Sequence, residues 1–173
     1  MRDRNFLPKV VLASLLLVTP HLHAATWEYK STDDPMTDEP IYEAVILSDN
    51  QVDVSFNRKA TLSVITRFHP RNGWNIEFTI DNDQISCLGS CSVTIRLDNE
   101  KATNHSIEKV FNVKGYVYRV RNNAEKVAEG MFRAKKILVE LEIFEQGAQL
   151  FRFETNTFDY GLFPHKPGEK EKR

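Results

Sequence analysis

Large and β-branched side chains recur at every second position along most of this chain. That period of two restricts it to a sheet with one apolar and one polar face. Trp27-Glu28-Tyr29, Ile41-Tyr42-Glu43-Ala44-Val45-Ile46-Leu47, Thr61-Leu62-Ser63-Val64-Ile65-Thr66, Trp74-Asn75-Ile76-Glu77-Phe78-Thr79-Ile80 and Cys91-Ser92-Val93-Thr94-Ile95-Arg96-Leu97 show it most clearly. Residues 107–113 and 116–120 continue it more weakly. Ile137-Leu138-Val139-Glu140-Leu141-Glu142-Ile143-Phe144 and Ala148-Gln149-Leu150-Phe151-Arg152-Phe153-Glu154 flank Glu145-Gln146-Gly147, which reads as a hairpin with Gly147 at a positive φ. Asp33-Asp34-Pro35, Ser48-Asp49-Asn50, Pro70-Arg71-Asn72-Gly73, Asp81-Asn82-Asp83 and Asp98-Asn99 supply turns between the runs.

One segment departs from this rhythm. After Asn122 or Asn123 as cap, Ala124, Val127, Ala128, Met131 and Ala134 fall three or four apart, with charged residues between them. The spacing predicts one amphipathic helix, acidic early and basic late in keeping with its dipole. Gly130 in its middle costs roughly 1 kcal/mol. The expected fold is mainly β: an antiparallel β-sandwich or half-barrel with one late amphipathic α-helix. Phe158, Tyr160, Leu162 and Phe163 offer a closing apolar segment, and 164–173 reads as a disordered charged tail.

Residues 1–24 read as a secretory signal peptide, with Arg2, Arg4 and Lys9 ahead of an apolar run at 10–18 and a small-residue exit at Leu22-His23-Ala24. Pro20, His21 and His23 interrupt the run before it reaches the roughly 20 residues of a membrane span. Cleavage leaves one β-rich domain at 25–163, destined for the periplasm or the medium. Asp3 also lies in the signal segment, so of 23 basic and 24 acidic residues the mature chain keeps 20 and 23, a formal charge of −3. That balance points away from nucleic acid and anionic membranes as partners.

The two cysteines, Cys87 and Cys91, enclose Leu88-Gly89-Ser90. In an oxidising compartment this pair reads as a local disulfide stapling a turn, worth about 2 kcal/mol or less because the closed loop is so short. Zinc would need further ligands.

Catalytic spacing is absent from the sequence. His69, His105 and His165 follow no metal-binding pattern and are expected at the surface. Ser63, Ser86 and Ser106 lack a nucleophile-elbow context, and the glycines lack a phosphate-loop pattern. Asn104-His105-Ser106 matches a glycosylation acceptor that matters only in a eukaryotic secretory pathway. Asp33, Asp34, Asp38 and Glu39 could gather a hard cation, although Asp and Pro favour turns for backbone reasons of their own. Glu140 and Glu142 share a strand face that should be solvated.

The strongest binding feature is Arg67-Phe68-His69-Pro70-Arg71-Asn72-Gly73-Trp74. Arg67, His69, Arg71 and Trp74 place guanidinium and aromatic groups around a turn, residue types enriched at interfaces. The alternative is that Phe68 and Trp74 finish core strands and the arginines are solvated.

Trp27-Glu28-Tyr29 with Asp34-Pro35-Met36-Thr37, His69-Pro70-Arg71-Asn72-Gly73, the cysteine pair, and Glu145-Gln146-Gly147 with Phe151-Arg152-Phe153 resemble a group of small exported bacterial proteins of uncharacterised role. More distantly, the opening is similar to that of periplasmic accessory proteins associated with type VI secretion and of invasion-associated locus B proteins. Gly161-Leu162 echoes a terminal Gly-Leu of such proteins, whereas the extra cysteines of some are missing. The resemblance implies compartment and fold and carries over no catalytic residue. The expectation is a soluble, non-enzymatic periplasmic accessory or binding protein that acts by protein–protein contact and uses no cofactor or metal. The alternatives are an inhibitor or immunity protein that plugs a hydrolase or toxin, and an unrecognised hydrolase.

Overall fold

The alternating runs pair into antiparallel strands, and their apolar halves meet in one continuous core running from Trp27 to Phe163. The computed structural model describes residues 25–87, 91–112, 115–155, 158–163 and 166–167. The expected signal peptide, Leu88-Gly89-Ser90, His165 and all of the expected tail except Lys166 and Pro167 lie outside the described residues.

In chain order the strands are β1 (Glu28–Asp33), β2 (Pro40–Leu47), β3 (Val52–Val54), β4 (Arg58–Ala60), β5 (Leu62–His69), β6 (Gly73–Ile80), β7 (Cys91–Leu97), β8 (Thr103–Asn112) and β9 (Gly115–Val120). Helix α1 (Ala124–Arg133) follows, then β10 (Lys136–Ile143) and β11 (Gly147–Glu154). Nine strands form one sheet in the order β1-β2-β5-β6-β9-β8-β7-β10-β11, while β3 and β4 pair only with each other. Most sequence neighbours pair as hairpins; β2 pairs with β5 past the β3–β4 unit, β7 pairs with β10, and β6 crosses to β9, setting Glu77 opposite Arg119 and Phe78 opposite Tyr118. The two ends of the sheet approach each other. Ala25, ahead of β1, bridges Thr155, beyond β11. On the same edge the Asp49 N–H donates to the Arg152 carbonyl at 2.8 Å, and the Arg152 N–H donates to Asn50 Oδ1 at 2.7 Å. The sheet is therefore curled as a half-barrel, with much of its β11 edge covered.

Ala44, Ile46, Leu62, Val64, Ile76, Phe78, Val93, Ile95, Val139 and Phe151 line the apolar face. Thr66 interrupts it, satisfied by donating from Oγ1 to the Ala44 carbonyl at 3.1 Å. Helix α1 packs on this layer through Val127, Ala128, Met131 and Phe132. Phe132, outside the expected stripe, proves central: its ring stacks on Phe158 at 3.6 Å and meets Trp27 and Trp74 at 5.5 and 5.6 Å. The glycine at 130 has a packing reason, since a Cβ there would stand 2.5 Å from Leu97 Cδ1. Asn123 caps the helix in a left-handed conformation (φ 60°), without the side-chain cap that its residue type suggests. In the closing segment Phe158 and Phe163 are buried, whereas Leu162 is exposed.

Cys87 and Cys91 are bridged, with Cα atoms 5.2 Å apart. Among the described residues no helix is long and apolar enough to cross a membrane. The β3–β4 hairpin was not evident from the alternation, because three-residue strands are too short to establish a period. Strand β8 begins at Thr103, so Asn104-His105-Ser106 lies within a strand.

Candidate functional site

The β5–β6 turn and the acidic turn between β1 and β2 answer each other's charges. The Arg71 backbone N–H donates to His69 Nδ1 at 3.0 Å, which leaves Nε2 to carry the hydrogen donated to Asp34 Oδ2 at 2.9 Å. Arg71 Nε donates to Glu39 Oε2 at 2.9 Å. Asp34 also accepts from the Met36 N–H at 2.9 Å, and its backbone carbonyl accepts from Thr37 and Asp38. That backbone bond, followed by the His69 contact, holds the Asp34 carboxyl below its ordinary range. Two of the four acidic residues suggested for a cation thus have basic partners. Among the described residues no group of three or more His, Cys, Asp or Glu is placed to hold a metal ion.

The structure separates the four residues proposed as one binding turn. Trp74 is buried and stacks on Phe163 at 5.2 Å, so it belongs to the core. The expectation that His69 lies at the surface does not hold, since only 8% of it is exposed. Arg71 remains exposed beside Glu39. Arg67 lies on the opposite face of β5 from Leu62, Val64 and Thr66, where it joins a charged network.

That network ties four strands of the sheet together through side chains. Arg67 spans two carboxylates: Nε and Nη2 each lie 2.8 Å from Glu43 Oε1, and Nη1 lies 3.3 Å from Glu77 Oε1. Arg119 donates to the same Glu77 oxygen from Nε at 3.1 Å and Nη2 at 2.7 Å. Glu77 is 1% exposed although its strand parity assigns it to the polar face. The two guanidinium groups cover it and supply the bonds that a buried carboxylate requires. Two arginines and two glutamates cancel, so the network is a fixed neutral lattice across β2, β5, β6 and β9.

Glu43 and Arg67 divide the polar face into two depressions. The larger, of about 710 Å³, is lined by Lys30, Ser63, Thr79, Asp83, Gln84 and Tyr116 with Glu43, Arg67 and Glu77 of the network, and by apolar side chains including Val45, Ile65 and Ile80. The smaller, of about 470 Å³, reaches toward His69, Asn72 and Asn75. A third cleft of about 440 Å³ lies between α1 and β7–β8, where His105 sits near Lys126 and Arg133. Partial burial pushes the His105 imidazole below its ordinary 6.5.

Sequence reasoning found Arg67 but missed Glu43, Glu77 and Arg119 as its partners. A glutamate in mid-strand is an ordinary solvent-face residue until the neighbouring strands are known, and here one of them is β9.

No protein-family model matches this chain, and neither a curated protein nor a solved structure is similar to it.

Proposed function

We propose that this chain is a soluble, non-enzymatic accessory or binding protein of the bacterial periplasm that acts through protein–protein contact. The observation that carries this reading is an apolar end of the half-barrel. Phe56 at the tip of the β3–β4 hairpin is 88% exposed, and Phe111 and Tyr116 on the β8–β9 hairpin are 74% and 51% exposed. Phe144 and Leu47 add further exposed apolar surface. Segment 81–84 ties the pieces together: Asp83 Oδ2 accepts from the Ser55 N–H at 3.2 Å, the Gln84 carbonyl accepts from the Phe144 N–H at 3.1 Å, and Tyr116 shares a cleft with both residues. Large aromatics displayed together mark surfaces that a partner covers.

Export is supported by the Cys87–Cys91 bridge, which suits an oxidising compartment. The non-enzymatic reading is supported by the engagement of Glu43 and Glu77 with guanidinium groups, which fixes these carboxylates as structural partners. A second reading, an inhibitor or immunity protein against a hydrolase or toxin, is favoured by Phe56 itself. It is a bulky residue in left-handed geometry on a projecting loop, suited to plugging a cavity.

The test is capture from a detergent-treated envelope extract, comparing the wild-type chain with a Phe56→Ser/Phe111→Ser variant of equal melting temperature. A partner retained by the wild type and lost by the variant supports the reading; equal retention, or none, removes it. A partner that is a hydrolase inhibited on binding selects the second reading.

A further inference from the structure

We propose that the 710 Å³ cleft on the polar face is a binding site for a neutral oligosaccharide. Its volume falls in the range of about 300–1,000 Å³ typical of small-ligand sites. Three kinds of observation identify the ligand class, and they share only Tyr116 with the apolar end on which the contact reading rests.

The first is charge. Lys30 and Arg67 share the cleft with Glu43, Glu77 and Asp83, and Arg119, which lines the neighbouring depression, offsets the excess acid through its bonds to Glu77. Both guanidinium groups are committed to carboxylates. An anionic ligand would meet three carboxylates with both guanidinium groups committed and the Lys30 ammonium as the lining cation outside an ion pair among the described residues, whereas an uncharged one disturbs no ion pair.

The second is hydrogen-bonding capacity. Among the described residues the side chains of Ser63, Thr79 and Gln84 make no hydrogen bond, yet all three line this cleft. Donors and acceptors are thus mixed within a short span, matching sugar hydroxyls, which both donate and accept. The ring of Tyr116, half exposed although Lys109 Nζ sits 3.6 Å from its centroid, adds an aromatic wall for the C–H face of a pyranose.

The third is position. The cleft lies over β5 and β6, both interior strands of the sheet; β5 is paired along both sides, while among the described residues β6 meets β9 at Glu77 and Phe78. A peptide docking by strand addition needs a free sheet edge. Neither β5 nor β6 is an edge strand, so recognition here comes chiefly from side chains, as it does for carbohydrates.

The test is amide NMR titration of the isotope-labelled full chain with tri-N-acetylchitotriose, maltotriose and cellotriose, and with trigalacturonate as the anionic counterpart. At roughly 10 mM ligand, at least one neutral trisaccharide should give saturable shifts at Ser63, Thr79, Gln84 and Tyr116. Tyr116→Ala, which removes a half-exposed ring that also meets Phe111 and Lys109, and Thr79→Arg, which fills the cleft, should each weaken binding by about tenfold or more. Phe56→Ser should leave it unchanged, which separates failure here from failure of the contact reading. Absence of shifts with all three neutral sugars, equal or stronger shifts with trigalacturonate, or shifts confined to Phe56 and Phe111 would overturn the proposal.

Discussion

His69 Nε2 stands 2.9 Å from Asp34 Oδ2 and pins the turn after β1 to the turn after β5, two segments 35 residues apart in sequence. The pair forms because β2 lies between β1 and β5 in the sheet, which brings both turns to the same end. Arg71 and Glu39 repeat the connection nearby.

Acid should loosen this connection. The folded-state pKa of Asp34 lies below the ordinary 3.8, so through the carboxylate range the unfolded chain binds more protons than the folded one. The stabilisation is complete above the unfolded value and is lost as pH falls through the folded one. Asp34→Asn should lower the melting temperature at neutral pH and flatten its decline in acid. Melting curves of both proteins across this range check the sign; an unchanged acid slope in the variant would show that Asp34 is not responsible.

Glu77 carries the heaviest penalty for removal. Glu77→Ala leaves two guanidinium groups facing a buried gap, and the expected loss is roughly 2–4 kcal/mol, moderated because both arginines reach solvent. Glu77→Gln, which keeps an acceptor, should lose about half as much. Urea denaturation measures both; a loss below about 1 kcal/mol for alanine would place the network among weak surface ion pairs.

Phe56 should trade stability against contact. It adopts φ 62° beside Asn57 at φ 54°, a geometry that costs a non-glycine residue roughly 1–2 kcal/mol. Phe56→Gly should therefore raise stability, by about 1 kcal/mol after the entropy that glycine restores to the unfolded chain. If stability falls instead, the ring makes contacts worth more than its strain, and the exposed-tip reading of this residue is wrong.

The Cys87–Cys91 bridge closes a loop of sequence separation 4. Reduction should cost about 2 kcal/mol or less and leave the far-ultraviolet circular dichroism of the sheet unchanged. Intact-mass measurement with and without alkylation reads the bond directly. Two free thiols in unreduced protein would remove it.

Residue order alone determined the longer strands, the late helix, the β10–β11 hairpin and the cysteine staple, because each rests on contacts local in sequence: alternation, i to i+4 spacing and turn chemistry. Gly147 illustrates this, with φ 69° at the position where the hairpin requires it. Tertiary structure decided which polar residues are buried and what they meet. Glu77 and Arg119 are 42 residues apart, and nothing local distinguishes this glutamate from Glu140, which is exposed on β10. The difference arises because β6 pairs with β9 across the intervening β7 and β8, placing a second guanidinium over one strand position. Trp74 and His69 were legible as residue types with binding potential, but the aromatic core claimed the first and Asp34 the second. Long-range pairing determines these outcomes, since an ion pair or ring stack depends on angstrom-scale placement that strand order sets and local periodicity leaves open.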